Sequence, residues 1–165
     1  MESAYIGGDG GPMIVLQGGA TSYWQGAANF DNSLMNGGQI ETDYDIICQG
    51  EDAGYTIKRY GRDMLVLDDS EWGARIFALP SGAVAVVQQF GGNDDINLVL
   101  ERVSRLRLSE SFPMDVQDRT LRLLVGADDG NGSAYGYKDV PITLGRKRCD
   151  VFLSEDELVI LINPE

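Results

Sequence analysis

The sequence predicts an α+β fold, in which a mostly antiparallel sheet of several short strands is joined by one or two helices and a β-rich C-terminal part. Three observations lead to this prediction. Short apolar or alternating runs recur along all 165 residues. The 21 glycines cluster in loop-like stretches such as 7–11 and 130–132, where positive φ suits tight turns. Only residues 95–104 show a clear helical period.

The first half of the chain alternates short strands with loops. An apolar run at residues 12–16 predicts a buried strand, since proline is tolerated at the first position of a strand. Residues 27–42 are polar and rich in Asn and Gly, which predicts a long surface loop. The segment 43–48 fits either a strand or a short helix. A helical turn is expected at 21–26, and two strands at 55–60 and 64–67 flank a turn at 61–63. Strands 74–79 and 83–90 are expected to form a hairpin that turns at Pro80-Ser81-Gly82.

The clearest helix is predicted at residues 95–104, after a cap at Asn93 or Asp94. Its apolar side chains recur at i, i+3, i+4 and i+7, and they would form one stripe: Ile96, Val99, Leu100 and Val103. Residues 105–108 alternate as an exposed strand does. The remaining expected elements are strands at 120–125, 140–144, 148–153 and 158–162, with turns at 128–132 and 154–157.

We expect two lobes in one compact protein. Residues 1–108 would form an α+β lobe, residues 109–165 a β-rich lobe packed on it, and residues 109–118 the link between them. The first eleven residues have neither the basic nor the apolar stretch of a signal peptide. The longest fully apolar run, residues 158–162, is far too short to span a bilayer. A soluble cytoplasmic protein is therefore expected.

Charge is distributed very unevenly along the chain. The first 57 residues contain eight acids and no Lys or Arg, and all thirteen basic residues lie from Lys58 onward. The net charge is −13. Such a field repels nucleic acid and anionic membranes, and it attracts cations or a basic protein. The alternative is that the acids only keep the protein soluble.

The composition excludes several kinds of catalysis. The chain has no His, which removes Ser-His-Asp and Cys-His mechanisms and His-containing zinc sites. The two cysteines, Cys48 and Cys149, form no CxxC pair, and we expect both to be free thiols in a reducing cytosol. Cys48 follows two isoleucines and is interpreted as a small buried hydrophobe. Cys149 lies beside Arg148, which leaves a reactive thiolate as a minor alternative to a structural role.

Neighbouring carboxylates are frequent, but their spacing does not indicate an active site. The doublets are Asp43/Asp45, Asp68/Asp69, Asp94/Asp95 and Asp128/Asp129. Adjacent residues of a strand point to opposite faces, so such doublets do not supply a pair of facing catalytic carboxyls. Residues 128–132 lack the spacing and closing Glu of a calcium loop, and we interpret them as a turn. We therefore predict no catalytic residue, no metal ligand and no cofactor.

The order of the motifs resembles the immunity protein family numbered 21 of bacterial polymorphic toxin systems. The segments that carry this resemblance are Gly10 to Leu16, Trp24-Gln25-Gly26, the DYDIIC run at 43–48, the GRDMLVLD run at 61–68, the valine-rich strand at 82–87, and the closing segments from Val140 to Gly145 and at 163–165. The resemblance implies an α+β protein without enzymatic activity. It also implies that the protein binds one cognate toxin domain, often an enzyme with a basic surface, and blocks it.

The charge pattern and the resemblance together predict a partner surface. Seven acids are expected to form most of it: Asp43, Asp45, Glu51, Asp52, Asp68, Asp69 and Glu71. Tyr44, Trp24 and Trp72 are predicted as its buried anchors, although core packing is an alternative for these aromatics. Two other functions stay open, a small enzyme or ligand-binding domain that uses carboxylates and a structural interaction module. The expected partner is a basic toxin domain, with no nucleic acid and no membrane.

Overall fold

A computed structural model describes residues 5–7, 11–27, 42–50, 54–67, 72–89, 92 and 94–165 of the chain. Within these residues the strands are β1 (Met13–Gln17), β2 (Tyr55–Arg59), β3 (Arg62–Val66), β4 (Ala74–Ala78), β5 (Val84–Gln89), β6 (Glu110–Val116), β7 (Thr120–Val125), β8 (Tyr137–Pro141), β9 (Gly145–Leu153) and β10 (Glu157–Pro164). The helices are α1 (Asp43–Ile47) and α2 (Ile96–Val103), and a 3-10 turn covers Gly18–Ala20.

The ten strands form two antiparallel sheets of five. Sheet 1 has the order β2-β3-β1-β7-β8, and sheet 2 has the order β4-β5-β10-β9-β6. Apolar side chains from both sheets, among them Val15, Leu123, Val86 and Ile160, belong to one buried cluster. This common core shows that the sheets pack face to face. The predicted α+β fold with mostly antiparallel sheet is confirmed.

Strands from both predicted lobes take part in both sheets. In sheet 1, β1 pairs along its whole length with β7, from Met13 opposite Val125 to Gln17 opposite Leu121. In sheet 2, β5 pairs with β10. The boundary predicted between residues 108 and 109 therefore does not separate one sheet from the other, because each sheet needs strands from both sides of it.

The outer face of each sheet is covered by a helix. On sheet 1, the outer side chains of β1 and β3 pack with Trp24 and with Ile47 of α1. On sheet 2, Val87 and Val159 pack against the apolar stripe of α2. The predicted helix is confirmed, but Asp95 caps it rather than Asn93 or Asp94, with its side chain accepting from the Asn97 amide.

Two predictions in the middle of the chain are wrong. Residues 105–108 form no strand, because the chain continues from α2 into a turn closed by the Leu106 amide on the Val103 carbonyl. The expected link at 109–118 is strand β6, paired with β9. Pro113 lies inside this strand without disrupting the sheet, because β6 is an edge strand and its missing N–H is tolerated there.

The hairpins follow their turn residues. The pair β4–β5, with Gly82 at φ 86° in its turn, confirms the predicted hairpin. Between β2 and β3 the turn consists of two residues, Tyr60 and Gly61, with φ values of 53° and 71°. Positive φ at both positions matches the right-handed twist of the flanking strands. The turn thereby directs the Tyr60 side chain to the outer side of sheet 1, where it packs with the apolar cluster there.

Candidate functional site

Four predicted site residues meet on the outer face of sheet 1. Tyr44 and Trp24 pack with its outer apolar cluster, and Asp43 and Asp45 lie on the same helix, α1. Trp72 lies elsewhere, just before β4 of sheet 2, where its carbonyl accepts from Gln88 Nε2. The other predicted residues lie outside the described part of the chain: Glu51, Asp52, Asp68, Asp69 and Glu71.

A capping box resolves the ambiguity of segment 43–48 in favour of a helix. The Thr42 hydroxyl accepts from the Asp45 amide at 3.1 Å, and the Asp45 carboxylate accepts from the Thr42 amide at 3.0 Å. These reciprocal bonds satisfy amides that the start of a helix leaves without partners. Asp45 stays exposed, so it can contribute charge to the surface.

Asp43 is completely buried, and its carboxylate is surrounded by donors. It accepts from Arg59 Nε at 2.8 Å and Nη2 at 2.6 Å, from the Tyr60 hydroxyl at 2.7 Å and from the Gln25 amide at 2.9 Å. Removing one member of such a buried pair is strongly destabilising, and the charge is hidden from an approaching partner. Asp43 therefore does not belong to the exposed acidic surface that its sequence position suggested.

Trp24 holds the segment 20–27 onto sheet 1. Its side chain is buried, and its indole Nε1 donates to the Gly126 carbonyl at 3.2 Å. Its own carbonyl accepts from the Gly130 amide at 2.8 Å. Gly26 follows at φ 58° and lies so close to the Ala127 carbonyl that a Cβ atom would clash with it. Trp24 is thus a packing residue of this chain, and it presents its neighbour Tyr23 to solvent.

Tyr23 and Tyr60 form a stacked pair at this surface. Their ring centroids are 5.7 Å apart with an interplanar angle of 24°, and the Arg59 guanidinium lies 5.0 Å from the Tyr60 centroid. Burial raises the pKa of the Tyr60 hydroxyl, and its hydrogen bond to Asp43 raises it further. Tyr60 therefore stays a neutral donor at pH 7. Tyr23 is 60% exposed, the highest value among the large apolar side chains of the described chain.

A second exposed tyrosine lies on the same face at the β8 edge. Tyr137 is paired with Leu124, whose side chain belongs to the outer cluster of sheet 1, and paired residues share a face. The Arg122 guanidinium lies 3.8 Å from the Tyr137 centroid. Arg122 is also held by Asp139 through contacts of 2.7 and 2.8 Å. The Tyr137 ring is therefore already in a cation–π contact with an arginine of the same chain.

Most cations of the protein are compensated internally. Eight of the thirteen form ion pairs with carboxylates: Lys58, Arg59, Arg62, Arg102, Arg105, Arg122, Arg146 and Arg148. Arg75 and Lys147 are buried. Arg107, Arg119 and Lys138 have no ion pair with the residues that the structure describes. Most of the positive charge is therefore held in contacts within the protein, and the net charge stays at −13.

The cysteines differ in exposure. Neither forms a disulfide bond, but Cys48 is exposed, so the expectation of a buried Cys48 is wrong. It follows the last turn of α1, where the side chain faces solvent instead of the sheet. Cys149 is buried in the core between the sheets, and this burial raises the pKa of its thiol to about 12. A protonated, inaccessible thiol is no nucleophile at pH 7, which removes the thiolate alternative.

The carboxylates of the 128–135 loop are used by the loop itself. Asp128 is buried and accepts from the amides of Asp129 at 2.8 Å and Tyr135 at 2.9 Å. Asp129 accepts from the Ser133 hydroxyl at 2.7 Å, which lowers the pKa of its carboxyl. These bonds are those of a turn. Within the described residues, no group of three or more acidic or cysteine side chains is placed to hold a metal.

A buried polar cluster joins α2 to sheet 2. Glu157 accepts from Arg102 at 3.0 Å and from Gln89 Nε2 at 2.9 Å. Arg75 donates to Gln89 Oε1 at 2.7 Å and to the Asp94 carbonyl at 2.8 Å. The members satisfy one another's hydrogen-bonding groups, so this cluster holds the helix in place.

Comparisons with models of protein families, with characterised proteins and with solved structures each gave no match to this chain. The resemblance to the immunity protein family therefore stays a prediction, as does the toxin partner that it implies. Among the described residues, neither helix has the length and apolar character needed to cross a bilayer.

The face contains tyrosines that are not among the predicted site residues, although Tyr23 and Tyr60 belong to the aromatics that cluster in the acidic half of the sequence. Tyr23 and Tyr60 are 37 positions apart, and only the β2–β3 turn and the Trp24 loop bring their rings together. Tyr137 comes from the opposite edge of the sheet.

Proposed function

We propose that this chain is an immunity protein that binds and neutralises a cognate toxin domain with a basic surface. The observation that supports this proposal most is the uncompensated acidic field. The net charge is −13, and ten of the thirteen cations are paired with carboxylates or buried. A field of this size attracts a basic protein over a Debye length of about 8 Å at cellular salt.

The outer face of sheet 1 is the proposed binding surface. Exposed tyrosines and well-ordered arginines are typical of the centre of protein interfaces, and this face has both. Two acid-rich stretches, residues 51–53 and 68–71, lie outside the described residues. The described residues next to them are Gly54, just before Tyr55, and Leu67, just after Val66. Because Tyr55 and Val66 are paired, Gly54 and Leu67 lie at the same end of the β2–β3 hairpin.

The first test is binding and protection. The purified chain is titrated with the C-terminal domain of the large secreted protein encoded immediately upstream, and the two are co-expressed to measure growth. We expect a stoichiometric complex and restored growth. The absence of such a gene, or a toxin domain that neither binds nor is neutralised, would contradict the proposal.

The second test measures charge steering with matched variants. Asp45, Glu51 and Asp52 are changed to Asn, Gln and Asn, while buried Asp43 is left intact. The control removes the same charge from three acids that are exposed in the described part of the chain: Glu110, Glu155 and Asp156. Steering raises association rates by roughly 10–10³-fold, so the first variant should associate at least several-fold more slowly than the control at low salt. Equal rates for the two variants would exclude this acidic surface as the steering element.

A further inference from the structure

We infer that Tyr23 is an anchor that receives an arginine or lysine side chain of the partner on its open ring face. The inference rests on the proposed function and specifies the contact at its centre. The geometry that supports it is a contact between three side chains, in which the Arg59 guanidinium lies 5.0 Å from the Tyr60 centroid and the Tyr60 ring stacks with the Tyr23 ring. Tyr23 is the most exposed of the three.

Tyr23 is exposed and yet held in place. Its ring rests on Tyr60, whose hydroxyl is fixed by the buried Asp43 carboxylate at 2.7 Å. Its backbone amide donates to the Ala20 carbonyl at 3.1 Å, and the next residue is the buried Trp24. A preorganised aromatic ring loses little conformational entropy on binding, which is the property of an anchor residue.

The chemistry of the Tyr23 ring face favours a cationic group of the partner. The face of a tyrosine ring is the negative end of its quadrupole, and guanidinium and ammonium groups bind there. The protein itself places Arg59 on Tyr60 and Arg122 on Tyr137 in this way. Within the described residues, no cation is stacked on Tyr23. Among Tyr23, Tyr60 and Tyr137, Tyr23 is therefore the exposed tyrosine whose ring has no stacked arginine and can accept a cation from the partner.

The charges around Tyr23 do not oppose an incoming cation. Arg59 is neutralised by Asp43 at 2.6 Å, and Arg62 by Asp118 at 2.8 Å. Both pairs are partly or fully screened from water by their surroundings, so their carboxylates offset the guanidinium charge at close range. The total charge of −13 then determines the sign of the long-range field, which attracts a basic partner.

The test uses ring substitutions at Tyr23 with a matched control at Tyr5. Tyr23→Phe keeps the ring face, and Tyr23→Leu keeps apolar area without the ring quadrupole. Tyr5→Leu is the control, since Tyr5 is 46% exposed and lies beside β4 of sheet 2, where its neighbour Ile6 is paired with Ala74. The probe is the purified upstream-encoded toxin domain, and its affinity and off-rate are measured by surface plasmon resonance at fixed salt.

We expect Tyr23→Leu to weaken binding about tenfold, mainly through the off-rate, and Tyr23→Phe and Tyr5→Leu to stay within about twofold. Melting temperatures near that of the wild type confirm that the variants fold. Unchanged affinity of Tyr23→Leu, or equal losses for Tyr23→Leu and Tyr5→Leu, overturns the anchor. An equal loss for Tyr23→Phe shows that the hydroxyl is recognised, and it also overturns the cation contact. If the wild-type chain does not bind at all, the proposed function itself fails.

Discussion

Asp43 shows how burial changes the role of a carboxylate in this protein. Its position in the acidic first third suggests a surface charge, but its side chain is inaccessible and accepts bonds from Arg59, Tyr60 and Gln25. The sequence pattern cannot distinguish a buried structural carboxylate from an exposed surface charge here. Asp43 and Asp45 are two positions apart on the same short helix and point to different sides of it. The identity of the partner residues, sixteen and seventeen positions away, decides it.

Removing the Asp43 charge should destabilise the fold strongly. Asp43→Ala leaves the Arg59 guanidinium partly buried without its anion, and such losses cost about 3–5 kcal/mol. Asp45→Asn is the control, because Asp45 is exposed and the side-chain oxygen of the introduced Asn can still accept the hydrogen bond from the Thr42 amide. We expect a change below about 1 kcal/mol for the control in urea unfolding. Similar losses for the two variants would show that the ion pair does not hold the site.

Cys149 predicts a pH dependence of stability in the alkaline range. Its folded pKa of about 12 lies above the ordinary value of 9.0, so the folded state retains a proton that the unfolded state releases. The contribution is complete below about pH 9 and falls as pH rises toward 12. Its limiting slope is about 1.36 kcal/mol per pH unit.

The measurement compares urea unfolding of the wild type and Cys149→Ala between pH 8 and pH 10.5. The variant is less stable at every pH because it leaves a cavity, so the informative quantity is the difference in slope. We expect the two stabilities to converge as pH rises. Parallel curves would mean that Cys149 is not the group that titrates.

At the scale of elements, the free edge of β6 is closed by side chains of sheet 1. The Asp115 amide donates to Asp63 Oδ2 at 2.8 Å, and the Asp115 carbonyl accepts from Gln17 Nε2 at 2.8 Å. Gln17 Oε1 also accepts from the Gln117 amide at 2.7 Å. With Pro113 in the same strand, these contacts leave little of the edge for pairing with another chain.

Gln17 is therefore expected to be a critical buried polar residue. Gln17→Leu keeps the volume but leaves the Gln117 amide and the Asp115 carbonyl without partners, at about 1–3 kcal/mol each. Gln117→Ala is the control, since the Gln117 side chain is exposed and its backbone amide can still donate to Gln17 Oε1. We expect a loss of at least about 2 kcal/mol for Gln17→Leu in denaturant unfolding. A neutral Gln17→Leu would indicate that the two sheets do not meet as described.

The elements were predictable where a local pattern decides them. Helix α2 follows from its apolar period, and the β4–β5 hairpin from Pro80-Ser81-Gly82. Strand β6 was not predictable as a strand, because its proline and polar residues are acceptable only at a sheet edge, and sequence does not show which strand is at the edge. The pairing of β1 with β7 is set by contacts more than a hundred residues apart, which local pattern does not contain.

At the scale of the whole molecule, the two outer faces differ in chemistry. Sheet 2 is covered by α2 and its ion pairs, whereas sheet 1 carries a short helix with the exposed Asp45 and the stacked tyrosines. The proposed function uses the net negative charge of the chain and this aromatic part of the face. This division could be derived only after the strand order had assigned each residue to a face.

Hydrogen exchange on the complex with the upstream-encoded toxin domain tests this central claim most directly. Amide protection is compared between the free and bound chain in peptides that cover each outer face. We predict new protection in residues 20–27, in α1 and at the β2–β3 turn, with α2 unchanged. Protection confined to α2 and the sheet 2 side, with no change around Tyr23 and α1, would contradict the proposed binding face.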